Sequence, residues 1–299
     1  MLEIHELTKR YGATLAVDGL SFRAEPGRVL GFLGPNGAGK TTTLRTLLGL
    51  TLPTSGQATV NGQSYRSLTD PISQVVAVLE GPQFHPGRTG RNHLRMLAMA
   101  AGLPAGRVDE LLRLVELDSA GGKRVKGYSL GMRQRLSLAA ALLGDPRALV
   151  LDEPANGLDP QGIRWLRDFL RAQAAEGRTV LISSHVLAEV AQTVDEVVVV
   201  TRGRLVAQGS LDELTQGAAA PVWVRSPDAE RLRGALAAKG IEAEPGEAGS
   251  DWLRVPDASL ETVGTTAAEN GIAVFELYRP RQSLESVFFE LTSEPEAAS

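Results

Sequence analysis

The stretch GFLGPNGAGKTTTL, residues 31–44, sets Gly34 and Gly39 five positions apart with Lys40 and Thr41 directly behind them, between an apolar run and a helical one. Glycines there permit positive φ, so successive backbone N–H groups can turn inward, and the helix that follows adds the partial positive charge of its N-terminus. The run Gly34, Pro35, Asn36, Gly37, Ala38, Gly39, Lys40, Thr41, Thr42 therefore reads as a cradle for the phosphates of a nucleotide. Lys40 would reach the β- and γ-phosphates and Thr41 would ligate Mg²⁺. A loop of this kind works only at a strand-to-helix junction, which commits the chain to an α/β sheet.

The remaining chemistry must come from oxygen and nitrogen groups. The 299 residues contain no cysteine, which excludes disulfides, thiolate nucleophiles and cysteine zinc sites, and the four histidines lack metal-ligand spacing. The formal net charge of −4 argues against a nucleic acid held by bulk charge, so no nucleic-acid partner is expected. No apolar run approaches the roughly eighteen residues needed to cross a bilayer. The opening MLEIHELTKRYG alternates like a strand, unlike a leader peptide, so a cytoplasmic chain is expected.

In RALVLDEPANGLDP an apolar strand ends in Asp152 and Glu153. At the carboxyl end of such a strand Asp152 would hold Mg²⁺ through water, and Glu153 could polarise an attacking water as general base, an effect worth ~10²–10⁴ in rate. Adjacent acids are also ordinary turn chemistry. His185 closes the strand VLISSH, where it fits a contact to a γ-phosphate or the organisation of Glu153 and water; a hydrogen-bonded bystander is the plainer reading. Tyr11 in TKRYG could stack on a base, worth ~1–3 kcal/mol, or simply be an exposed tyrosine. In GYSLGMRQRLSLAAALLGD, Ser129 reads as a helix cap, and Ser129 with Gly131 also forms a bare helix tip able to meet phosphate.

Along the chain, β-rich runs (LEIHEL, LSFRAE, RVLGFLG, QATVNGQ) come first, helical periodicity fills about 88–144, and strand–loop–helix rhythm returns at ALVLDEP and RTVLISSH, with a helix over VLAEVAQTV. EVVVVTRGRLVAQG reads as a hairpin turning at Arg202-Gly203, followed by a short capped helix, SLDELTQG. The expected domains are an α/β nucleotide-binding cassette over 1–216, built as a mixed sheet with an antiparallel β subdomain and a helical insert, then a linker at 217–221. A small α+β domain at 222–292, whose β-α-β-β-α-β order suggests a ferredoxin-like sandwich, precedes a polar, disordered tail at 293–299.

The order Tyr11, GPNGAGKTT, Glu80, YSLGM, LVLDEP, GLD, ISSH resembles the nucleotide-binding subunit of an ATP-binding cassette (ABC) transporter, over residues 1 to about 216. In that family YSLGM corresponds to a signature loop usually read Leu-Ser-Gly-Gly-Gln; Ser129 and Gly131 match it, whereas Leu130 and Met132 replace a Gly and a Gln. The resemblance implies two copies facing head to tail around two ATP molecules, as a homodimer or with a related cassette subunit, Asp159 crossing the same interface. Where the family usually carries a Gln that offers oxygen to Mg²⁺ or water, this chain has Glu80, and Gln83 is a rival for that role. Further implications are a separately encoded membrane permease that holds the chain at the inner face of the membrane, and export of a drug, antibiotic or lipid. The alternative is a soluble cassette ATPase of DNA repair, translation or cluster assembly. Those families add long coiled coils, cysteine-rich modules or a second cassette, none of which is in this sequence.

Overall fold

A computed structural model describes residues 1–79, 84–186, 190, 192–216, 221–246 and 251–279. Glu80, Gln83, residues 187–189 and 191 of the VLAEVAQTV segment, most of the linker, and the chain beyond 279, with the expected tail, lie outside the described residues. The chain divides into two compact units, the first running through Leu211 and the second starting at Asp212.

The first unit holds two sheets. Strands β1 (Leu2–Tyr11), β2 (Thr14–Ala24) and β4 (Ser55–Val60) form an antiparallel sheet in the order β2-β1-β4. A six-stranded sheet in the order β5-β6-β7-β3-β8-β9 contains β3 (Val29–Leu33), β5 (Val75–Val78), β6 (Ala148–Asp152), β7 (Thr179–Ser184), β8 (Glu196–Thr201) and β9 (Arg204–Ser210). Strands β5, β6, β7, β3 and β8 run parallel, and β9 closes the edge antiparallel. Every residue of VLGFL, ALVLD and TVLISS is buried, the pattern of parallel strands covered on both faces. The β8–β9 turn has Arg202 at φ 48° and Gly203 at φ 80°, the left-handed pair that the right-handed twist of a two-residue hairpin favours.

One core joins the sheets: Leu2, Leu7 and Leu20 meet Phe32, Val150, Leu181 and Val198 across helix α1 (Lys40–Leu47), which contributes Leu44 and Leu47. The short helix α2 (Pro71–Gln74) leads into β5. Between β5 and β6 stand α3 (Gly90–Ala100), α4 (Arg107–Leu114) and α5 (Leu130–Ala141), the expected helical insert. Helix α6 (Pro160–Ala175) buries Leu166, Phe169 and Leu170 and packs on β7 and β3. A short helix follows at Leu211–Gln216.

In the second unit, β10 (Val222–Arg225), β11 (Glu244–Pro245), β12 (Trp252–Val255) and β13 (Glu276–Tyr278) form an antiparallel sheet in the order β11-β12-β10-β13, with helices Ala229–Ala238 and Leu260–Glu269. The β-α-β-β-α-β order is as expected, but the second and last strands are shorter than their apolar runs, IEAEP and IAVFELYRP. Val222, Val224, Leu253 and Val255 alternate inward onto Leu232, Leu236 and Val263, giving this unit its own core.

Candidate functional site

The glycine loop leaves β3 at its carboxyl end. A Cβ on Gly34 would stand 2.4 Å from the Val200 carbonyl oxygen, and one on Gly39 would stand 2.4 Å from that of Ala16. Gly39 also sits at φ 98° as the residue before α1, so only glycine serves there. Pro35, Asn36 and Gly37 are exposed, while Ala38 is buried and its carbonyl accepts from the Gly203 N–H at 3.0 Å, fastening the loop to the β8–β9 turn. No side chain caps α1, and its first turn carries no acid, so its leading N–H groups and partial positive charge suit an anion. Thr42 is the third residue of this helix.

Lys40 is 6% exposed. Its Nζ donates to the carbonyls of Gly34 (2.7 Å) and Pro35 (3.3 Å) and lies 3.5 Å from Glu153 Oε1. The other Glu153 oxygen, Oε2, is 2.9 Å from His185 Nδ1. Thr41 Oγ1 donates to Asp152 Oδ2 at 2.9 Å. Strand order explains this convergence: β3, β7 and β6 are neighbours, so Gly34, His185 and Asp152 arrive together although more than a hundred residues separate the first from the last. The structure thus joins Lys40, Thr41, Asp152, Glu153 and His185 in one cluster.

The donor set suits a hydrated magnesium ion. Among the described residues no cluster of three or more His, Cys, Asp or Glu side chains could hold a metal alone. Asp152 and the Thr41 hydroxyl are the sparse oxygen ligands that a divalent cation supplements with water and phosphate oxygens.

Four expected residues, Ser129, Gly131, Asp159 and Tyr11, stand elsewhere. Ser129 caps α5, its Oγ accepting from the Met132 N–H at 3.2 Å, so the cap reading holds. The fold does not demand glycine at 131, where an added Cβ would meet nothing nearer than Leu158 Cδ2 at 3.8 Å. Asp159 caps α6 through the Gly162 N–H at 2.7 Å. The two capped tips touch, since a Cβ on Gly157 would lie 2.6 Å from Leu130 Cδ2. Tyr11 ends β1 with 49% of its surface exposed and Lys9 Nζ 4.8 Å from its ring centre.

Ser183 is a member of the cluster that sequence reasoning missed. Its Oγ accepts the Glu153 N–H at 3.0 Å and donates to Asp152 Oδ1. A serine in an apolar strand carries no signal by itself; its value appears only when β7 is laid beside β6.

A family model described as "ABC transporter" matches residues 17–156, and one described as a domain of unknown function matches residues 220–285. The Nod factor export ATP-binding protein I of Ralstonia nicotianae is 38% identical over 98% of this chain and 94% of its own length. The bacitracin transport ATP-binding protein BcrA of Bacillus licheniformis is 41% identical over 72% of this chain and 71% of its own length. The chain belongs to the ABC transporter ATP-binding proteins. A solved structure titled "Structure of ATP binding subunit of ABC transporter" superposes with a TM-score of 0.65 at 31% identity, covering 73% of this chain and 92% of that one. As an ABC ATPase subunit the chain binds and hydrolyses ATP, and its relatives separate it from the soluble repair, translation and cluster-assembly ATPases. No helix of the described residues is long and apolar enough to cross a membrane.

Proposed function

We propose that this ABC ATPase clasps each ATP between the glycine loop of one copy and the Ser129–Gly131 helix tip of a second, and that the resulting closure drives a separately encoded membrane permease. The observation that carries this reading is the meeting of Lys40, Glu153 and His185 beside the Thr41–Asp152 pair at the carboxyl ends of three adjacent strands. The backbone N–H groups of Asn36, Gly37, Gly39, Lys40, Thr41 and Thr42, together with the Lys40 ammonium, hold the β- and γ-phosphates, Pro35 having no N–H to offer and those of Gly34 and Ala38 serving the carbonyls of Ser184 and Pro35. Thr41 and Asp152 hold Mg²⁺, with Glu80 or Gln83 as a further oxygen donor; bound there, the ion neutralises charge developing on the phosphate oxygens. Glu153 takes a proton from water as the water oxygen bonds to the γ-phosphorus and the bridging bond to ADP breaks. His185, donating from Nδ1 to Glu153, keeps that carboxylate aimed at the water. Tyr11 stacks on adenine, and Asp159 faces the partner copy.

Relatives named for Nod factor export and bacitracin transport support export of an antibiotic, drug or lipid-like molecule, with the subunit peripheral on the inner face of the membrane through its permease. The cassette is assigned to 1–216, the linker to 217–221 and a dimer-bracing accessory domain to 222–292. The test is turnover with two variants. Lys40→Ala should abolish phosphate release, and Glu153→Gln should bind ATP, stall hydrolysis and trap an ATP-dependent dimer. Wild-type turnover in Glu153→Gln would discard the base, and in Lys40→Ala the cradle. For the permease, co-expression should carry the subunit into the membrane pellet; persistent solubility would count against transport.

A further inference from the structure

The geometry points to Ser183 as a positioning residue that sets both acids of the hydrolytic site at once, an inference that rests on the roles proposed above for Asp152 and Glu153. Asp152 and Ser183 are register partners on parallel neighbours, so their side chains leave the sheet on the same face, the one covered by α1. Ser183 is 0% exposed and Asp152 is buried. A single hydroxyl therefore does two things in a space closed to water. It donates to Asp152 Oδ1, which fixes the carboxylate plane and directs Oδ2 to the Thr41 hydroxyl, 2.9 Å away. It also accepts the Glu153 N–H at 3.0 Å.

The second bond matters because Glu153 has φ 50°, a left-handed conformation that a glutamate adopts only when its surroundings hold it there. The turn lifts the Glu153 side chain out of strand alternation and toward Lys40 and His185. A strand lacking the Ser183 hydroxyl leaves the Glu153 N–H without its acceptor and one Asp152 oxygen without its donor. Asp152 then rotates and Glu153 relaxes, which loosens the metal site and the base together. A purely structural hydroxyl would instead lower stability without favouring metal-dependent steps.

Ser183→Ala and Ser183→Thr decide between these. Binding is followed by displacement of a fluorescent ATP analogue from the full chain, once with Mg²⁺ and once with EDTA. Turnover is followed against free Mg²⁺. Support from a residue behind a metal ligand is typically worth ~10–100-fold in metal affinity or activity. Ser183→Ala should raise the half-saturating Mg²⁺ and lower kcat within that range, leave ATP affinity in EDTA at the wild-type value, and melt without nucleotide as one cooperative unit in this domain; Ser183→Thr should restore most of the Mg²⁺ response. An Ala variant with wild-type Mg²⁺ dependence and kcat overturns the proposal, as does an equal loss of affinity with and without metal, or a Thr variant no better than Ala. If Glu153→Gln turns over normally, the reading of the site has failed; if Glu153→Gln is dead and Ser183→Ala is normal, only the role of Ser183 has.

Discussion

Each glycine of the phosphate loop answers a different demand, and substitution separates them. Gly37 lies at φ 84° with nothing within 4 Å of an added Cβ, whereas Gly39 combines φ 98° with a backbone oxygen 2.4 Å away. Gly37→Ala should cost only its conformational penalty, about 1 kcal/mol in chemical denaturation, and retain weakened ATP binding. Gly39→Ala adds a backbone clash, and should lose ATP binding and destabilise the first unit by more than about 2 kcal/mol. Calorimetric titration with ATP and urea melts check both, and equal behaviour of the two variants would contradict the argument. The loop was legible because its chemistry is local: glycines, lysine and threonine are consecutive, and the sequence spacing is the spacing in space. Ser183 was not, because it acts on residues 31 and 30 positions away through strand pairing.

Among elements, the tip of α5 poses a choice between a cap and a ligand site. Ser129 does cap the helix, and Ala there should cost ~1 kcal/mol by that role alone. Asp is as good a cap as Ser and favours the positive end of the helix, yet it sets a full negative charge where a partner's γ-phosphate is proposed. Ser129→Asp should therefore melt like wild type while losing the ATP-dependent dimer and most turnover, measured by light scattering and phosphate release. Full activity in that variant would reduce the tip to a cap. Asp145 ties the helical insert to the sheet: its carboxylate takes Arg178 Nη2 at 2.8 Å, ahead of β7, and Arg107 Nη2 at 2.9 Å, from α4. The hydrogen bond from Arg178 is the main reason that its pKa falls below the ordinary value, burial opposing it and Arg107 adding to the fall. A depressed folded pKa contributes stability above the unfolded value of about 3.9 and loses it as pH drops through the folded one. Since Asp145 is largely exposed, Asp145→Asn should cost no more than about 1 kcal/mol in urea at pH 7, and the gap should close below pH 4. Asn also tolerates the φ of 52° found there, which keeps the comparison clean. Neither tie was visible in the sequence, because Asp145 carries no pattern that picks out a partner and its arginines come from segments more than thirty residues away on either side.

For the molecule as a whole, two separate cores imply two separate meltings. Val222, Val224, Leu232, Leu253 and Val263 bury one another within the second unit, while the first unit closes around Phe32, Leu44 and Val150. Scanning calorimetry should resolve two transitions, with ATP and Mg²⁺ raising only the one that belongs to the first unit. A chain cut after Gln216 should retain that ligand-responsive transition, and a single transition in the full chain, shifted as a whole, would contradict the division. The α/β order and the β-α-β-β-α-β segment were readable because buried strands are continuous apolar runs and exposed turns carry glycine. The full strand order was not readable, since adjacency in a sheet is set by tertiary packing; that Asp152 and His185 would meet the phosphate loop was expected because α/β sheets gather ligands at the carboxyl ends of their strands.

The insert between β5 and β6 has an attachment unlike that of a hairpin. Because these neighbours are parallel, the chain departs beyond Val78 at the sheet's upper rim and returns at Ala148 on its lower rim, one strand over. The stretch between them therefore has to travel back along the sheet before β6 can begin, and α5, which packs on β5, covers that strand as part of the return. The helix that carries the Ser129–Gly131 tip thus doubles as a lid over an edge strand, so the packing that shields β5 also holds the tip in place.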